Sequence, residues 1–570
     1  MAQSVKENPR VANLLERQTL TQKDVLIALT LLFFLNLLLR VFYLRYDFVN
    51  GDEAVRAITA VRLLEGARLY SEIVTDKPPG ATVFYATILW LFGRSMLAVH
   101  LIAALLNFAT SLVLYHIAAR FYDRRTGLWA ALLFIYFSTN YYTQDMMAAN
   151  TELLMALPYT ASFYLFLEGR ETRSALGSQR RVTAALVLAG LLTGVAALFK
   201  QVAVFNLLFF AIHEVFALYR ARNRAGMQTL INLASIAIGF SVVVIVMVLW
   251  LNSQNSLLEF WHSVVVMGSV YVGALPTELW LKFMVGRTLG YVLFNLALWL
   301  LAAYAIVTAV RARPDRSERL EAREGSSSTD MERSSRSLDL AVALWAAVSL
   351  LAAFTGGRFF GHYFIQVLPA LSLLGSRGLA WFAARLGDPG TRRKARIAAA
   401  VLIIVFIIGL VRFHQRTAVL AYEAIAGVRT NASESWGMTQ RQREAVIVAG
   451  RIRETVAEGE PIYVWGYALD VYWRSGCRPA SRYLMPYYMT GRVQETGSVD
   501  SDNEGMWSEN RSRFIEDLRR ERPRLILDVE ANLLAGNYPE IVEFIEDNYR
   551  REGEIGPDPD RPFVVYRLRE

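Results

Sequence analysis

The feature that most limits how this chain can fold is a series of apolar blocks, each about as long as a membrane is thick. They fall at 25–44, 97–120, 127–140, 150–168, 182–199, 202–219, 230–251, 289–310, 339–355, 363–385 and 395–413. A helix needs about 20 such residues to cross a bilayer. Because hydrocarbon offers no partner to an open N–H or C=O, segments of this kind fold as helices. The sequence therefore predicts a polytopic α-helical membrane protein with about eleven transmembrane helices. No small-residue cleavage site follows the first block, which reads as a retained anchor and not as a signal peptide.

Charge then orients the blocks. The formal net charge is +9, which in a soluble domain would suggest nucleic acid as a partner. Here the basic residues sit in alternate links: the N-terminus, Arg124-Arg125, Arg170 to Arg181, Arg220 to Arg224, the Ser/Arg/Glu-rich stretch 311–337, and Arg392-Arg393-Lys394-Arg396. The link 141–149 has no Lys or Arg. An inside-positive bias explains that pattern, so no nucleic-acid partner is expected and the first set of links is cytoplasmic. The expected organisation is a cytoplasmic N-terminus (1–24), a transmembrane domain (25–414) with a long first outer loop (45–96), and an extracytoplasmic domain (415–570), all integral to the plasma (inner) membrane. The stretch 313–337 reads as a flexible loop. Cys477 is the one cysteine, with no CxxC and no His-rich spacing, so redox chemistry and structural zinc are not expected.

The tail is charged and alternates strand-like runs (Pro461 to Trp465, Leu525 to Val529, Phe563 to Tyr566) with helical ones (Gln440 to Val456, Arg511 to Glu521, Ile541 to Arg551). That pattern predicts a soluble α/β domain. In the first outer loop, Val55, Ile58, Leu63 and Leu64 recur at near-helical spacing among Arg56, Arg62 and Glu65, with Gly66 as a stop, which predicts a helix lying in the interface. Pro78-Pro79 is expected to extend the backbone and hold Lys77 clear of any helix. Residues 82–93 form an apolar helix too short to span comfortably. The loop 252–288 carries Trp261, Tyr271, Trp280 and Phe283 where an aromatic belt would lie.

On this topology the polar residues converge. Asp52, Glu53, Asp76 and Lys77 in the first outer loop, Asp145, Asn150 and Glu152 in the second, Lys200 between the fifth and sixth blocks, and Arg358, His362 and Tyr363 between the ninth and tenth all reach the outer face. Charge beside hydrocarbon is costly, so such a cluster calls for a reason. Asp52 and Glu53 also suit the first turn of a helix. Arg358 to Tyr363 could simply join two helices, although Gly356-Gly357 would let backbone approach a ligand. His213-Glu214 reads as a structural pair, and the Asn431-Ala-Ser433 sequon as chance. An outer-face site has no cytosolic nucleotide sugar or ATP. A donor there must travel in the membrane, and a polyprenyl-phosphate sugar is the obvious one. Its phosphate departs readily when a cation steadies it, so one base acting on the acceptor hydroxyl suffices, and single displacement inverts the anomeric centre.

NGDEA after the first block, TDKPPG, ANTELLMALP, ALFKQ and GGRFFGHYFIQVLPAL occur in an order that resembles the GT-C glycosyltransferases. Within these it is similar to the protein O-mannosyltransferase and aminoarabinose-transferase-like group, over roughly residues 25–415. The resemblance implies a GT-C fold, a polyprenyl-phosphate sugar donor, Asp52 as catalytic base, and Glu53 orienting it or helping to hold a metal. It also implies that Lys77 contacts the donor phosphate, with Asp145 and Glu152 near the acceptor or an optional divalent ion, Mg or Mn. Lys200 and Arg358 are further phosphate-binding candidates, and Asn150, His362 and Tyr363 lie in the acceptor or metal vicinity. No recognisable acceptor domain is present, so the acceptor remains glycan, lipid or protein. The alternative class is a multi-span transporter or flippase of a lipid-linked or sugar substrate, which would place polar residues at mid-membrane and often shows repeated halves. The sequence has neither feature.

Overall fold

The computed structural model describes residues 20–141, 143–175, 179–220, 226–311, 327–428, 440–492, 502–529, 533–534, 538–556 and 563–569. The sequon at Asn431 lies outside the described residues, as does the stretch expected to be a loop up to residue 326. From 327 onward that stretch is helical, as part of Ser327–Phe354.

Seven helices among the described residues are long and apolar enough to cross a membrane: Gln22–Arg40, Met96–Phe121, Gln179–Phe199, Gln201–Tyr219, Gly226–Ser253, Ser335–Phe354 and Arg392–Ala426. An eighth is made if Leu257–Gly273 and Thr277–Phe294, bent by 90° at a short break, count as one span. The remaining apolar blocks are also helical, but shorter or interrupted. Arg124–Phe137 has 14 residues, Thr151–Ala175 contains Pro158, and Leu296–Arg311 begins after a break at Asn295. The block at 363–385 opens with a turn of 3-10 helix, Gly361–Gln366, before Leu368–Gly387.

Close helix packing rests on small residues. A Cβ on Gly190 would sit 1.9 Å from the Ile236 carbonyl oxygen, and one on Gly239 would sit 1.9 Å from that of Val187. Helices Gln179–Phe199 and Gly226–Ser253 therefore touch backbone to backbone. Nearby, Trp345 stacks on Phe163 at 4.0 Å and donates its indole N–H to Asn206 Oδ1 at 2.9 Å. Glu214 is fully buried and paired, accepting from Arg170 at 2.6 Å and from Asn232 at 3.0 Å. It is thus a structural bracket between three helices.

The interfacial helix is Gly51–Leu64. Asn50 caps it by accepting from the Glu53 amide at 3.2 Å, which puts Asp52 and Glu53 in the first turn where acidic side chains suit the helix dipole. Gly66, at φ +93°, turns the chain out. One local expectation is corrected. Pro79 is not extended but has helical dihedrals and caps the helix Gly80–Phe92, as suits a residue with fixed φ at a helix entrance. Lys77 is still outside any helix.

The C-terminal segment forms a five-stranded sheet from β1 (Pro461–Trp465), β2 (Arg478–Pro479), β3 (Leu525–Asp528), β4 (Tyr549–Ile555) and β5 (Phe563–Leu568), in the order β2-β1-β3-β5-β4. β1 runs parallel to β2 and β3, with Tyr463 opposite Ile526, and β5 runs antiparallel to β3 and β4. The helix expected over Ile541 to Arg551 ends at Asn548, because Tyr549 onward pairs with β5. This segment grips the first outer loop. Val74 N donates to Arg482 O at 2.9 Å, Gln442 Nε2 to Phe48 O at 3.2 Å, and Arg474 meets Asp47 at 2.8 Å.

Candidate active site

A cavity of about 420 Å³ opens where the first outer loop, the ends of several helices and the C-terminal segment meet. Asp52, Lys77, Asp145, Glu152, Lys200, His362 and Tyr363 all line it. Residues 52 and 363, more than three hundred positions apart, are thus brought to one space.

Successive residues on a helix point about 100° apart, and this separates Asp52 from Glu53. The Asp52 side chain is 51 % exposed and stands on the cavity wall, while its other side meets Arg56 Nη2 at 3.3 Å. Burial alone would raise this carboxyl, but Arg56, His362 and Lys77 outweigh it and hold it below the usual carboxylate range. Glu53 faces the interior and does not line the cavity. It accepts from the backbone amides of Val49 at 2.7 Å and Ala149 at 2.6 Å, and its Oε1 lies 3.1 Å from His100 Nε2. These contacts pin the start of the interfacial helix to the second outer loop. Asn150 is also behind the wall, accepting from Arg56 Nη1 at 3.3 Å and donating to the Asp145 carbonyl at 3.1 Å.

Two lysines face the cavity with Asp52. Lys77 is paired with Asp76, whose other oxygen accepts from the Tyr488 hydroxyl at 3.4 Å. Burial would lower the Lys77 ammonium, yet Asp76 and Asp52 keep it raised and charged. Lys200 is paired with Glu152 and lies 3.6 Å above the centre of the Tyr363 ring. Burial, together with the nearby charge of Lys77, pulls the Lys200 ammonium below its ordinary value in spite of Glu152. An anion placed between these two cations would relieve their repulsion.

His362 sits between two carboxylates, 3.6 Å from Asp145 and 3.8 Å from Glu152. Glu152 is already engaged by Lys200 and by the Thr151 hydroxyl at 2.8 Å. Among the described residues no group of three or more His, Cys, Asp or Glu is disposed to hold a metal ion. Arg358 does not line the cavity. Gly357 (φ +65°) and Phe359 (φ +53°) fold the link back on itself, and the fully buried guanidinium lies 4.4 Å from the Tyr271 ring while donating to the Tyr271 carbonyl at 2.8 Å. Tyr271 is the residue that reaches the cavity. The neighbouring Gly356 makes room for a side chain, since a Cβ there would lie 2.6 Å from Tyr363.

Sequence reasoning missed three contributors. Arg56 was within reach, four residues from Asp52 on a predicted helix, the spacing of a helical ion pair. In sequence Tyr271 reads as an interface aromatic. The wall formed by Tyr467, Asp470, Met485, Tyr487 and Tyr488 has no periodic signal, because it is assembled from loops and the short helices Asp470–Ser475 and Tyr487–Thr490.

Known proteins resemble this chain at two levels, in part of its sequence and in its fold. Residues 76–250 match the dolichyl-phosphate-mannose-protein mannosyltransferase family. That span holds Lys77, Asp145, Asn150, Glu152 and Lys200 but not Asp52, Glu53 or the link at 358–363. No curated protein matches the chain. Among solved structures, ArnT from Cupriavidus metallidurans bound to undecaprenyl phosphate superposes with a TM-score of 0.55 at 16% identity, covering 96% of this chain and 98% of that one. Its apo state gives 0.55 at 16%, covering 93% and 96%. The Archaeoglobus fulgidus oligosaccharyltransferase tethered with an acceptor peptide gives 0.50 at 14%, covering 96% of this chain and 74% of that one. The chain has the membrane fold of the GT-C glycosyltransferases, and over residues 76–250 its sequence is similar to that of the protein mannosyltransferases.

Proposed function

We propose that this protein is a membrane glycosyltransferase that moves a sugar from a polyprenyl-phosphate carrier to an acceptor hydroxyl, at the face of the membrane where the C-terminal segment packs. The observation that carries the reading is the juxtaposition in one cavity of a half-exposed carboxylate, Asp52, with two cations, half-buried Lys77 and buried Lys200. The family match over 76–250 and the GT-C fold support it, as does a neighbour in that fold having been crystallised with undecaprenyl phosphate.

In this reading Lys77 and Lys200 hold the donor phosphate. The acceptor oxygen attacks C1 of the sugar as the C1–O bond to phosphate breaks, and Asp52 takes the hydroxyl proton. The carrier leaves as polyprenyl phosphate, its charge met by the two ammonium groups, and the anomeric centre inverts. A carboxylate held below its ordinary pKa is ionised and ready across the neutral range. Cations aimed at the leaving oxygens act where negative charge develops. Glu53 acts at one remove, fixing the helix that carries Asp52, and Arg358 acts through Tyr271. Asp145, Asn150, His362 and Tyr363 shape the rest of the wall. The bias of basic residues to alternate links supports a cytoplasmic N-terminus, with the cavity on the opposite side of the plasma membrane. A transporter would need its polar cluster at mid-membrane, whereas this cavity lies at helix ends and loops and is lined in part by the C-terminal segment.

The test is turnover by the purified protein in lipid nanodiscs with a panel of polyprenyl-phosphate hexoses and pentoses and a mixture of glycan, lipid and peptide acceptors. Wild type is expected to release polyprenyl phosphate, while Asp52→Asn binds donor and does not turn over. Full activity in Asp52→Asn would remove Asp52 as the base.

A further inference from the structure

The cavity has two chemically different walls. Arg56, Lys77, Lys200 and His362 all belong to the membrane-domain side. From the C-terminal segment come Gln442, Leu469, Asp470, Met485 and three tyrosines, Tyr467, Tyr487 and Tyr488, and no lysine, arginine or histidine of that segment lines the cavity among the described residues. Asp470 is 6% exposed, with Arg474 Nε 3.3 Å behind its carboxylate and Asp47 beyond. Tyr487 packs edge-on against Tyr271 at 5.2 Å, so the aromatic surface continues from one side to the other.

We propose that this C-terminal wall is the acceptor subsite and that its ligand is a neutral saccharide. This rests on the transferase reading above and narrows the acceptor. Aromatic faces carry negative charge density and attract the polarised C–H face of a sugar ring, while a carboxylate and an amide accept from and donate to its hydroxyls. The mixture of apolar surface and a few polar groups is what such a ligand needs. A phosphate-bearing acceptor would meet a carboxylate and no cation on this wall. A peptide acceptor held by strand addition needs an open strand edge, and none of the lining residues belongs to β1 through β5.

The wall can be tested without a donor. Full-length protein in nanodiscs is titrated by calorimetry with neutral manno-, gluco-, galacto- and arabino-oligosaccharides, with a uronic-acid oligosaccharide, and with a Ser/Thr-rich peptide of similar mass. At least one neutral saccharide is expected to bind, more tightly than the uronate or the peptide. Tyr467→Ala is expected to weaken it by roughly tenfold, the loss of one stacking contact, and Asp470→Asn by a similar factor. Tyr467→Phe keeps the ring and should keep the affinity, which separates stacking from a folding defect. Binding by the peptide alone, no binding by any neutral saccharide, or equal affinity in wild type and both variants would each overturn the assignment. Saccharide binding without turnover of any donor would sink the transferase reading and leave the wall standing. Turnover onto the peptide with no saccharide binding would do the reverse.

Discussion

The two walls of the cavity differ in how they are built as well as in what they carry. The membrane-domain wall is made of charges already spoken for: Asp52 with Arg56, Lys77 with Asp76, Lys200 with Glu152. The C-terminal wall is made of tyrosines, Leu469, Met485 and Gln442, with one recessed carboxylate, Asp470. A charge next to hydrocarbon persists only when paired, so the helices can supply cations to a phosphate only by keeping their counterions beside them. The C-terminal segment, packed from outside on a conventional core that includes Tyr463, Phe514 and Ile526, is free to offer neutral surface. On the proposed chemistry bond breaking falls to one side and recognition to the other, a division that the following variants test.

The largest effect belongs to the charged wall. On the proposed mechanism Asp52→Asn removes the general base and should slow transfer by roughly 10²–10⁴, with little change in donor affinity. It leaves Arg56 still bound to Asn150, so melting temperature should change little. If transfer rates fell no more for Asp52→Asn than for Tyr467→Ala, the division between the walls would collapse.

Lys200 comes next, and here stability and rate can be pulled apart. Removing it in Lys200→Ala takes a cation from the leaving phosphate, costing roughly 10²–10³ in rate by analogy with loss of one charge-stabilising donor. It also strands Glu152, which is 1% exposed, and breaking a buried pair costs about 3–5 kcal/mol. Adding Glu152→Gln removes the stranded charge, so Lys200→Ala/Glu152→Gln should regain much of the thermal stability and none of the turnover. Recovered turnover in the double variant would show that Lys200 serves only to neutralise Glu152.

How much of this could be read from the chain alone depends on the range of the interaction involved. The apolar blocks, the interfacial helix with its stop at Gly66, and β1, β3 and β5 were legible because each is written in a local period. The convergence of Asp52, Lys77, Asp145, Glu152, Lys200, His362 and Tyr363 followed from topology, since links on one side of a bilayer meet at one surface. Side-chain direction did not follow. Glu53 and Arg358 occupy the expected stretches but face inward, because a capped helix start and two left-handed residues turn them. Pro79 was read as extended because proline tolerates both conformations, and Tyr549 to Arg551 as helix because pairing with β5 is non-local. The tyrosine wall depends wholly on tertiary packing.

Glu53 has a smaller effect, one that bears on the frame and not the chemistry. In Glu53→Gln one amide oxygen must replace a carboxylate that meets two backbone amides and His100. Weakened or lost hydrogen bonds of this kind cost about 1–3 kcal/mol, visible as a lower melting temperature, with a fall in kcat smaller than that of Asp52→Asn. A loss of turnover as deep as that of Asp52→Asn in a protein of unchanged stability would instead mean that Glu53 itself handles the proton.

The finest distinction between the walls is their response to pH. Asp52 is held below the ordinary carboxylate range, so it is charged throughout neutral and mildly acidic conditions, and its loss of function comes only as pH falls through that lowered value. Asp470 is pushed up to about 6 by burial, against the pull of Arg474 and with the help of Asp47. It is charged above that value and neutral below it. Between pH 7 and 5, therefore, the base on the helix wall keeps its charge while the carboxylate on the C-terminal wall loses its own. If ionised Asp470 accepts from an acceptor hydroxyl, the acceptor KM should rise by a few-fold over this window, while the donor KM and the maximal rate stay nearly level. Asp470→Asn, already neutral, should show a raised and flat acceptor KM over the same range. Identical pH profiles in wild type and Asp470→Asn would take the carboxylate out of acceptor binding and leave the tyrosines as that wall's sole contribution.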